Sequence, residues 1–336
     1  MNDFHRAVEK ILDRNDLDEE EAFEVFSALS ANDALPAPVA AALLTALRAK
    51  GESVSELVGA ARAVLASARP FPRPQGGIVD IVGTGGDGKG TCNVSTLAAL
   101  TVAAAGVPVA KHGNRSSSGK CGSADLVEAL GVSLEMPEDE ASARLRDFSF
   151  AFLFAPYYHS GFKRIAEIRK QLGFPTIFNR IGPLTNPARP SVMLLGVAHR
   201  EWLEPMARAL QTLDCGNAWV AHGGGGSDEL DLEGENAVIS IGNGARRLMK
   251  VTAEDAGLKR TELAAIKGGN ALENAARSAR VLQGEDDPLR DAVALNAGAA
   301  LHLAGAFGDI REGTAAALEI LKKGQPWRLL EKLREK

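Results

Sequence analysis

Two glycine-rich loops contain the residues of this sequence with the clearest chemistry. The first reads Gly83-Thr84-Gly85-Gly86-Asp87-Gly88-Lys89-Gly90-Thr91-Cys92-Asn93-Val94-Ser95-Thr96, and the second reads Lys111-His112-Gly113-Asn114-Arg115-Ser116-Ser117-Ser118-Gly119-Lys120. Each loop follows a short apolar run and precedes a helical pattern. Glycines let a backbone approach an anion closely, and the first N–H groups of a helix are free to bind one. Together the two loops predict a single ligand that carries two phosphate groups.

The first loop also comes close to two common nucleotide-binding motifs. Gly83, Gly85 and Gly88 have the G-x-G-x-x-G spacing of a dinucleotide site, but the next strand ends in Lys111 rather than in an acidic residue that binds ribose. The spacing of a P-loop is nearly met as well, although Gly90 stands where a Ser or Thr must bind magnesium. Both motifs are therefore disfavoured, and a purely structural glycine turn stays open.

The segment Asn93-Val94-Ser95-Thr96 opens the helix after the first loop. Its side chains and N–H groups have the chemistry to bind phosphate oxygens or a metal ion. Ordinary helix capping by Asn93 or Ser95 explains the same residues equally well. The segment by itself therefore leaves both interpretations open.

Composition narrows the class of protein. The chain has 336 residues, of which 45% are hydrophobic, so one large domain with a smaller second one is expected. Its net charge of −5 argues against a nucleic-acid or membrane-surface partner. Cys92, Cys121 and Cys215 form no CxxC pair, and the sequence has neither an apolar signal core nor a long apolar run. We therefore expect a protein of the reducing cytoplasm, without disulfides or structural zinc.

Residues 1 to about 70 show helical patterns only. Ser53 and Glu56 have the spacing of a capping box at the start of a helix, and Gly51 is placed to end the preceding one. A proline- and glycine-rich stretch at 69–77 then interrupts every periodicity, which is typical of a linker or hinge.

From residue 78 onward, apolar runs alternate with helical segments. The predicted strands are 78–82, 107–111, 150–155, 192–197, 217–221 and 237–241. The helices between them, such as 95–105, 122–130 and 201–212, suit βαβ crossovers. The expected fold is therefore α/β, with a mostly parallel sheet flanked by helices. Helices are also expected near 289–305, 312–322 and 326–334, and residues 160–190 are expected to fold back onto the N-terminal helices.

The order of several motifs resembles that of the anthranilate phosphoribosyltransferase family. The matching motifs are Asp80-Ile81-Val82-Gly83-Thr84-Gly85-Gly86-Asp87-Gly88, Asn93-Val94-Ser95-Thr96, Lys111-His112-Gly113-Asn114-Arg115, Gly122-Ser123-Ala124-Asp125, Pro175-Thr176-Ile177-Phe178-Asn179 and Gly182-Pro183-Leu184-Thr185-Asn186-Pro187. The resemblance spans nearly the whole chain. It implies transfer of phosphoribose from phosphoribosyl pyrophosphate (PRPP) to the amine of anthranilate, a step of tryptophan biosynthesis.

The resemblance also implies a domain organisation. A small all-helical domain, formed by residues 1–72 with about 160–190, is hinged to a large α/β domain formed by 73–159 and 191–336. The family is usually homodimeric. No partner beyond the two small-molecule substrates, neither nucleic acid nor membrane, is expected.

The resemblance assigns site residues by position. PRPP contacts fall on Gly83, Gly86, Asp87, Thr91, Asn93, Val94, Ser95, Thr96, Lys111, His112, Gly113, Asn114, Arg115, Ser116, Ser117, Ser118, Gly119 and Ser123. Anthranilate contacts fall on Gly83, Asn114 and Arg169, and magnesium, two ions per site, on Ser95, Asp228 and Glu229. No residue is assigned as an acid or base, because the amine of anthranilate is neutral at pH 7 and the leaving pyrophosphate needs charge stabilisation.

Some positions depart from the family pattern. Gly119 and Cys121 stand where serines are common, Glu167 stands at a frequent proline, and Gly225 stands at a frequent acidic position. Ser160-Gly161-Phe162 also differs from the usual stretch. Several of these changes lie near the presumed entrance for the acceptor, so they bear mainly on acceptor binding.

Two other functions remain to be weighed against this one. Pyrimidine nucleoside phosphorylases have a related fold, but they are longer and carry Lys-His-Ser-Thr where this chain has Lys111-His112-Gly113-Asn114. A non-catalytic nucleic-acid-binding relative of the same fold would need a basic groove, which an acidic chain lacks.

Overall fold

The chain begins with a bundle of four helices. The computed structural model describes residues 3–30, 35–72, 76–116 and 119–335. The bundle helices are α1 (Asp3–Leu12), α2 (Glu19–Ser30), α3 (Ala37–Lys50) and α4 (Val54–Ala66). Ser53 and Glu56 form the predicted capping box at the start of α4, and Gly51, with φ +92°, ends α3 as predicted.

Close packing of α2 against α4 determines the shape of the bundle. A Cβ atom added at Gly59 of α4 would lie 2.4 Å from the carbonyl oxygen of Glu19 and 2.5 Å from Cβ of Ala22. The two helix backbones therefore touch at a position where only glycine fits. Phe26 of α2 is fully buried in the same core.

A seven-stranded mixed sheet forms the centre of the larger part of the chain. Its strands are β1 (Val79–Gly83), β2 (Val109–Gly113), β3 (Phe150–Phe154), β4 (Val192–Gly196), β5 (Asn217–His222), β6 (Asn236–Gly242) and β7 (Ala245–Val251). Their order is β3-β2-β1-β4-β5-β6-β7. The first five strands in that order are parallel, and β6 and β7 are antiparallel. The mostly parallel sheet is confirmed, whereas β7 was missed.

Helices cover both faces of the sheet. They are α5 (Val94–Ala104), α6 (Ser123–Ala129), α7 (Glu138–Phe148), α8 (Ala155–Tyr158), α9 (Lys163–Leu172), α10 (Ile177–Ile181), α11 (Leu203–Thr212), α12 (Ala271–Leu282), α13 (Pro288–Leu303), α14 (Ile310–Lys322) and α15 (Gln325–Arg334). Helices α5 and α13 lie in the core on one face, and α11 and the N-terminal bundle lie in the core on the other. Within the described ranges, no helix is both long and apolar enough to cross a membrane.

Residues 160–184 pack against the N-terminal helices, because α9 contacts α3 and α10 contacts α4. The ring of Phe178 lies 5.8 Å from that of Phe26 and 5.5 Å from that of Phe162, measured between centroids. The chain just after this segment is tied to the sheet, since Asn186 Nδ2 donates to Asp80 Oδ2 and to the carbonyl oxygen of Ala110, both at 2.8 Å. The segment therefore bridges the bundle and the strands β1 and β2.

Candidate active site

The first loop leaves the carboxyl end of β1 and turns tightly. Gly85, Gly86, Gly88 and Gly90 adopt positive φ angles between +64° and +80°, which glycine populates without strain. The Asp87 carboxylate accepts the N–H of Lys89 at 3.0 Å and closes the middle of the turn. Because these four residues have no side chains, a ligand can approach the N–H groups of the loop closely.

The acidic pair lies directly under this loop. The carboxylate of Asp228 accepts the N–H of Gly85 at 2.6 Å, and the carboxylate of Glu229 accepts the N–H of Ser95 at 2.9 Å. The predicted metal ligands Ser95, Asp228 and Glu229 are therefore brought together, although Ser95 and Glu229 are 134 positions apart in the sequence. Their side-chain donor atoms are all oxygen, which is the set that magnesium prefers.

The pair approaches the sheet so closely that two strand ends must be glycine. A Cβ atom at Gly83 would lie 2.1 Å from Asp228 Oδ2, and one at Gly196 would lie 1.7 Å from the carbonyl oxygen of Asp228. Gly83 and Gly196 end the neighbouring strands β1 and β4 and are paired in register. Sequence reasoning found Gly83 through its motif but missed Gly196, which belongs to no glycine-rich run.

The negative charges of Asp228 and Glu229 are only partly compensated by neighbouring groups. Burial raises the pKa of Asp228, and Asp87 beside it raises that pKa further. Burial also raises the pKa of Glu229, to which the neighbouring Asp228 contributes. Within the described residues, no three His, Cys, Asp or Glu side chains form a ready-made metal cluster. Two buried carboxylates that repel each other form an oxygen donor set of the kind that divalent cations bind.

Lys111 is the cation inside the site. Its side chain is 1% exposed, and Nζ donates to the carbonyl oxygen of Ile81 at 2.5 Å and to Ser95 Oγ at 3.4 Å. Burial lowers its pKa, while Asp80, Glu229 and Asp228 act in the opposite direction. Burial raises the pKa of Asp80 to about 6. The ammonium group therefore lies beneath the first loop and beside the acidic pair, rather than in solvent.

The second loop is held by the start of α6. Both oxygens of Asp125 are used: one accepts the N–H groups of Ser116 at 3.0 Å and Gly122 at 2.8 Å, and the other accepts from Arg115 at 3.1 Å. Arg115 also forms two hydrogen bonds with Glu128, at 2.8 and 3.0 Å. The Arg115 guanidinium thus faces α6 in this structure, and its predicted contact with phosphate stays a prediction.

The remaining predicted residues of the second loop lie around the end of β2. A Cβ atom at Gly113 would lie 2.4 Å from Ser123 Oγ, so the loop crosses closely over α6. The N–H of Gly119 donates to Ser116 Oγ at 2.7 Å. Ser117 and Ser118, also predicted to contact PRPP, lie outside the described residues.

Two buried histidines meet beside the second loop. Nε2 of His112 lies 3.2 Å from Nε2 of His159, and both side chains are nearly inaccessible. Burial lowers the pKa of His159 to about 4 and that of His112 well below its usual value. Both rings are therefore neutral at pH 7.

Arg169 is the predicted acceptor residue on α9. Its guanidinium donates to Asn179 Oδ1 at 3.1 Å and lies 5.4 Å from the centroid of the Phe178 ring. Burial lowers its pKa, and no carboxylate in the described part of the chain opposes that shift. A half-buried guanidinium of this kind is suited to bind a carboxylate from outside.

Burial makes Cys121 unreactive. Its pKa is raised to about 11, with burial as the main cause. The thiol is therefore protonated at neutral pH and is not a nucleophile there. Its structural contacts lie with Asn93, which it meets across the two loops.

Family models place the fold and this site within one class of enzymes. A model described as "Glycosyl transferase family, a/b domain" matches residues 75–326, and one described as "Glycosyl transferase family, helical bundle domain" matches residues 5–68. The two models together cover the bundle and the sheet with its loops.

Individual relatives that match over nearly their full length identify the family within that class. Anthranilate phosphoribosyltransferase of Thermus thermophilus is 49% identical over 327 residues, 97% of each chain, and that of Afipia carboxidovorans is 43% identical over 324 residues, 96% of each. The crystal structure of the Thermus thermophilus enzyme matches with a TM-score of 0.92, 48% identity and 98% coverage of both chains. The Saccharomyces cerevisiae enzyme in complex with PRPP and Mg matches with a TM-score of 0.90 and 27% identity, over 99% of this chain and 97% of that one. This chain belongs to the anthranilate phosphoribosyltransferase family.

Proposed function

We propose that this chain transfers the phosphoribosyl group of PRPP to the amine of anthranilate, giving N-(5-phosphoribosyl)anthranilate and pyrophosphate. The reaction is a pentosyl transfer in tryptophan biosynthesis. The observation that carries the proposal is the meeting of the first glycine-rich loop with Asp228 and Glu229, beside the ammonium of Lys111, with which the second loop begins. Relatives of nearly full length carry the same enzyme name. Neither the nucleoside phosphorylase nor the nucleic-acid-binding alternative is favoured by these findings.

The two loops bind the two phosphorylated ends of PRPP, the pyrophosphate at C1 and the phosphate at C5. We assign the contacts as the sequence predicted them. They are Gly83, Gly86, Asp87, Thr91, Asn93 to Thr96, Lys111 to Gly119, and Ser123. The left-handed glycines of the first loop leave its N–H groups near the ligand, and the start of α5 at Val94 adds the N–H groups of a helix terminus. Lys111 contributes positive charge from below.

Leaving-group stabilisation supplies most of the catalysis. As the bond between C1 and the pyrophosphate oxygen breaks, positive charge grows on the ribose and negative charge on the leaving group. Oriented N–H groups in a partly dry site stabilise such charge without reorganising. The neutral amine of anthranilate must be positioned but does not need activation by a base. We therefore assign no proton transfer to the neutral pair His112 and His159.

Magnesium is the cation that the acidic pair fits. We propose two ions per site, held by Ser95, Asp228 and Glu229 on the protein side. Bound magnesium would neutralise the pyrophosphate and so favour its departure. The support in this chain is the convergence of three oxygen-bearing side chains, Ser95, Asp228 and Glu229, at the first loop. Burial and mutual repulsion raise the pKa of both carboxyls, and a bound cation would offset that repulsion. The yeast relative was solved in complex with PRPP and Mg.

Gly83, Asn114 and Arg169 are proposed to bind anthranilate. Arg169 supplies the charge for the carboxylate, and its hydrogen bond to Asn179 fixes the direction of the guanidinium. The yeast relative was also solved in complex with 4-fluoroanthranilate. The acceptor would then lie where α9 and α10 join the bundle to the sheet.

We further propose the domain division, the dimer and the cellular location. The small domain comprises 1–72 with about 160–190, supported by the packing of α9 on α3 and of α10 on α4, and the large domain comprises the rest. A homodimer through the N-terminal helices would use residues other than Phe26 and Leu29, because these are buried in the chain's own core. The three free cysteines are consistent with a reducing cytoplasm.

An assay of anthranilate fluorescence tests the proposed function. Purified protein with PRPP, magnesium and anthranilate is expected to consume the fluorescence, and omission of PRPP or magnesium is expected to stop it. Constant fluorescence, while an established enzyme of the family consumes the same mixture, would contradict the proposal. Phosphate-dependent release of base from a pyrimidine nucleoside is expected to be absent.

A further inference from the structure

The side chain of Asn93 joins the two glycine-rich loops. Its Nδ2 donates to the carbonyl oxygen of Cys121 at 3.2 Å, and Cys121 Sγ donates to its Oδ1 at 3.3 Å. Asn93 stands at the end of the first loop, and Cys121 stands at the end of the second. The relative position of the two loops therefore depends in part on how this amide is held, beside the contact of Lys111 with Ser95.

A third residue, Asn274 on α12, holds that amide. Asn274 is 3% exposed, its Nδ2 donates to Asn93 Oδ1 at 3.1 Å, and its Oδ1 accepts the N–H of Gly269 at 2.7 Å. Because both ends of the Asn274 amide are used, its orientation is fixed: the reverse orientation would place two carbonyl oxygens against each other. Asn93 in turn is fixed from one side by Asn274 and from the other by Cys121.

The backbone around Asn274 is locked to the first loop as well. Gly268 N donates to the carbonyl oxygen of Gly90 at 2.8 Å, and Cys92 N donates to that of Ile266 at 2.9 Å. A Cβ atom at Gly268 would lie 2.9 Å from Asn274 Oδ1 and 3.0 Å from the carbonyl oxygen of Thr91. The segment 266–274, called here the C-terminal brace, therefore packs on the first loop without space for a larger residue at Gly268.

Arg277 stiffens the brace from its outer side. It donates to the carbonyl oxygens of Lys267 at 3.1 Å and Ala265 at 2.8 Å, and its guanidinium forms two hydrogen bonds with Asp287, at 3.0 and 2.6 Å. A bidentate pair of this kind limits the freedom of the segment to which it is attached. The brace is thus a rigid segment that supports the first loop.

We propose that Asn274 is a positioning residue for PRPP, a proposal that rests on the function proposed above. By holding the amide of Asn93, it keeps the first loop in register with the second, so that both phosphate-binding loops face one ligand. Asn274 acts through the contact between Asn93 and Cys121, since its amide meets both side chains, and we assign it no substrate contact. Its effect is therefore expected on the steps that use the two loops, PRPP binding and departure of pyrophosphate, and not on binding of the acceptor.

Replacement of Asn274 tests the proposal. Asn274→Ala is expected to raise both the Kd and the KM for PRPP about five- to tenfold, as loss of a hydrogen bond that leaves buried partners unsatisfied does. The KM for anthranilate is expected to stay within about twofold, because the acceptor contacts are not changed. Calorimetry with PRPP and magnesium measures the Kd, and initial rates measure the other constants.

Asn270→Ala is the matched control. Asn270 caps the same helix by accepting the N–H of Glu273 at 3.0 Å, so its loss weakens α12 but leaves the contact between Asn274 and Asn93. PRPP affinity is expected to stay within about twofold of wild type. A loss equal to that of Asn274→Ala would show a merely structural effect of α12 and overturn the proposal.

A double-mutant cycle between Asn93→Ala and Asn274→Ala tests whether Asn274 acts through Asn93. Because Asn274 acts through Asn93, the second substitution is expected to add little to the first, and additive effects would overturn the proposal. Should Asn274→Ala not fold, Asn274→Asp keeps the contact with Gly269 and turns an oxygen toward Asn93 Oδ1. Unchanged PRPP affinity in that variant would likewise overturn it. If wild type itself binds no PRPP, the proposed function fails instead.

Discussion

At the scale of single residues, the acidic pair Asp228 and Glu229 is held in an environment that disfavours its charge. Burial raises the pKa of both carboxyls, and Asp87 adds repulsion on the outer side. Compensation comes from the N–H groups of Gly85 and Ser95 and from the buried ammonium of Lys111. Such an arrangement reduces the stability of the metal-free protein and favours binding of a cation.

Neutral isosteres of the pair separate its charge from its shape. In Asp228→Asn with Glu229→Gln, each side chain keeps an oxygen for the N–H of Gly85 or Ser95. We expect magnesium-dependent turnover to fall at least about a hundredfold, because the cation loses its charged ligands. We also expect the metal-free variant to be more stable than the metal-free wild type above pH 7, since a carboxyl whose folded pKa is raised destabilises the fold as pH rises. Enzyme assays and urea unfolding without magnesium measure the two effects. Unchanged turnover would reject the metal assignment.

Arg169 carries a prediction about the acceptor. Arg169→Ala is expected to raise the KM for anthranilate about tenfold or more, because a hydrogen-bonded charge pair with the carboxylate is lost. The KM for PRPP is expected to change by less than about twofold, since PRPP binds at the loops. Lys170→Ala, on the exposed side of the same helix, is the control and is expected to behave as wild type. An effect of Arg169→Ala confined to PRPP would contradict the assigned role.

At the scale of elements, the strand ends decide where the acidic pair can lie. Gly83 and Gly196 are neighbours in the parallel pair β1 and β4, and the backbone of Asp228 crosses directly over them. The loop after β5 can therefore descend onto the sheet only because both strands end without a side chain. The position of the proposed metal site follows from this packing.

Gly196→Ala tests that packing. The added methyl group would overlap the carbonyl oxygen of Asp228, so we expect a loss of about 1–3 kcal/mol in the free energy of unfolding together with weaker magnesium-dependent PRPP binding. Gly77→Ala is the control at the opposite end of β1, where a Cβ atom would lie 3.5 Å from Ser191 Oγ, an ordinary contact. Thermal unfolding and calorimetry measure both variants. Equal affinity for PRPP in Gly196→Ala and wild type would show that the loop after β5 can accommodate the methyl group without displacing Asp228.

Local patterns were sufficient for most elements but not for all contacts. The strands β1 to β6 were predicted because buried strands are short apolar runs between turns. Strand β7 was missed because its first half is polar, with Arg246 and Arg247 exposed at the edge of the sheet. Within the site, motifs pointed to the two loops, and the family resemblance pointed to the acidic pair. Asn274 could not be found, because its hydrogen bond to Asn93 joins residues 181 positions apart.

At the scale of the whole molecule, the histidine pair joins the sheet to the segment that leads into the bundle. His112 lies on β2, and His159 immediately precedes the residues that pack against the N-terminal helices. The Nε2 atoms of the two rings lie 3.2 Å apart inside the protein. A protonated ring there would lack the solvation that an imidazolium has in water, so burial disfavours protonation of either histidine. Acid therefore acts on a contact inside the proposed large domain, directly before the segment that packs against the N-terminal helices.

The sign of this effect can be stated from the pKa of His159, which burial lowers from 6.5 to about 4. Between these values the unfolded chain binds more protons than the folded one, so the stability contributed by the neutral ring is complete above pH 6.5 and is lost as pH falls. We expect the advantage of wild type over His159→Gln in the free energy of unfolding to fall by about 1–2 kcal/mol between about pH 7.5 and pH 5. Urea unfolding at the two pH values measures it, with the exposed His199→Gln as a control that is expected to show no such change. Equal pH dependence in wild type and His159→Gln would show that the buried pair does not sense acid.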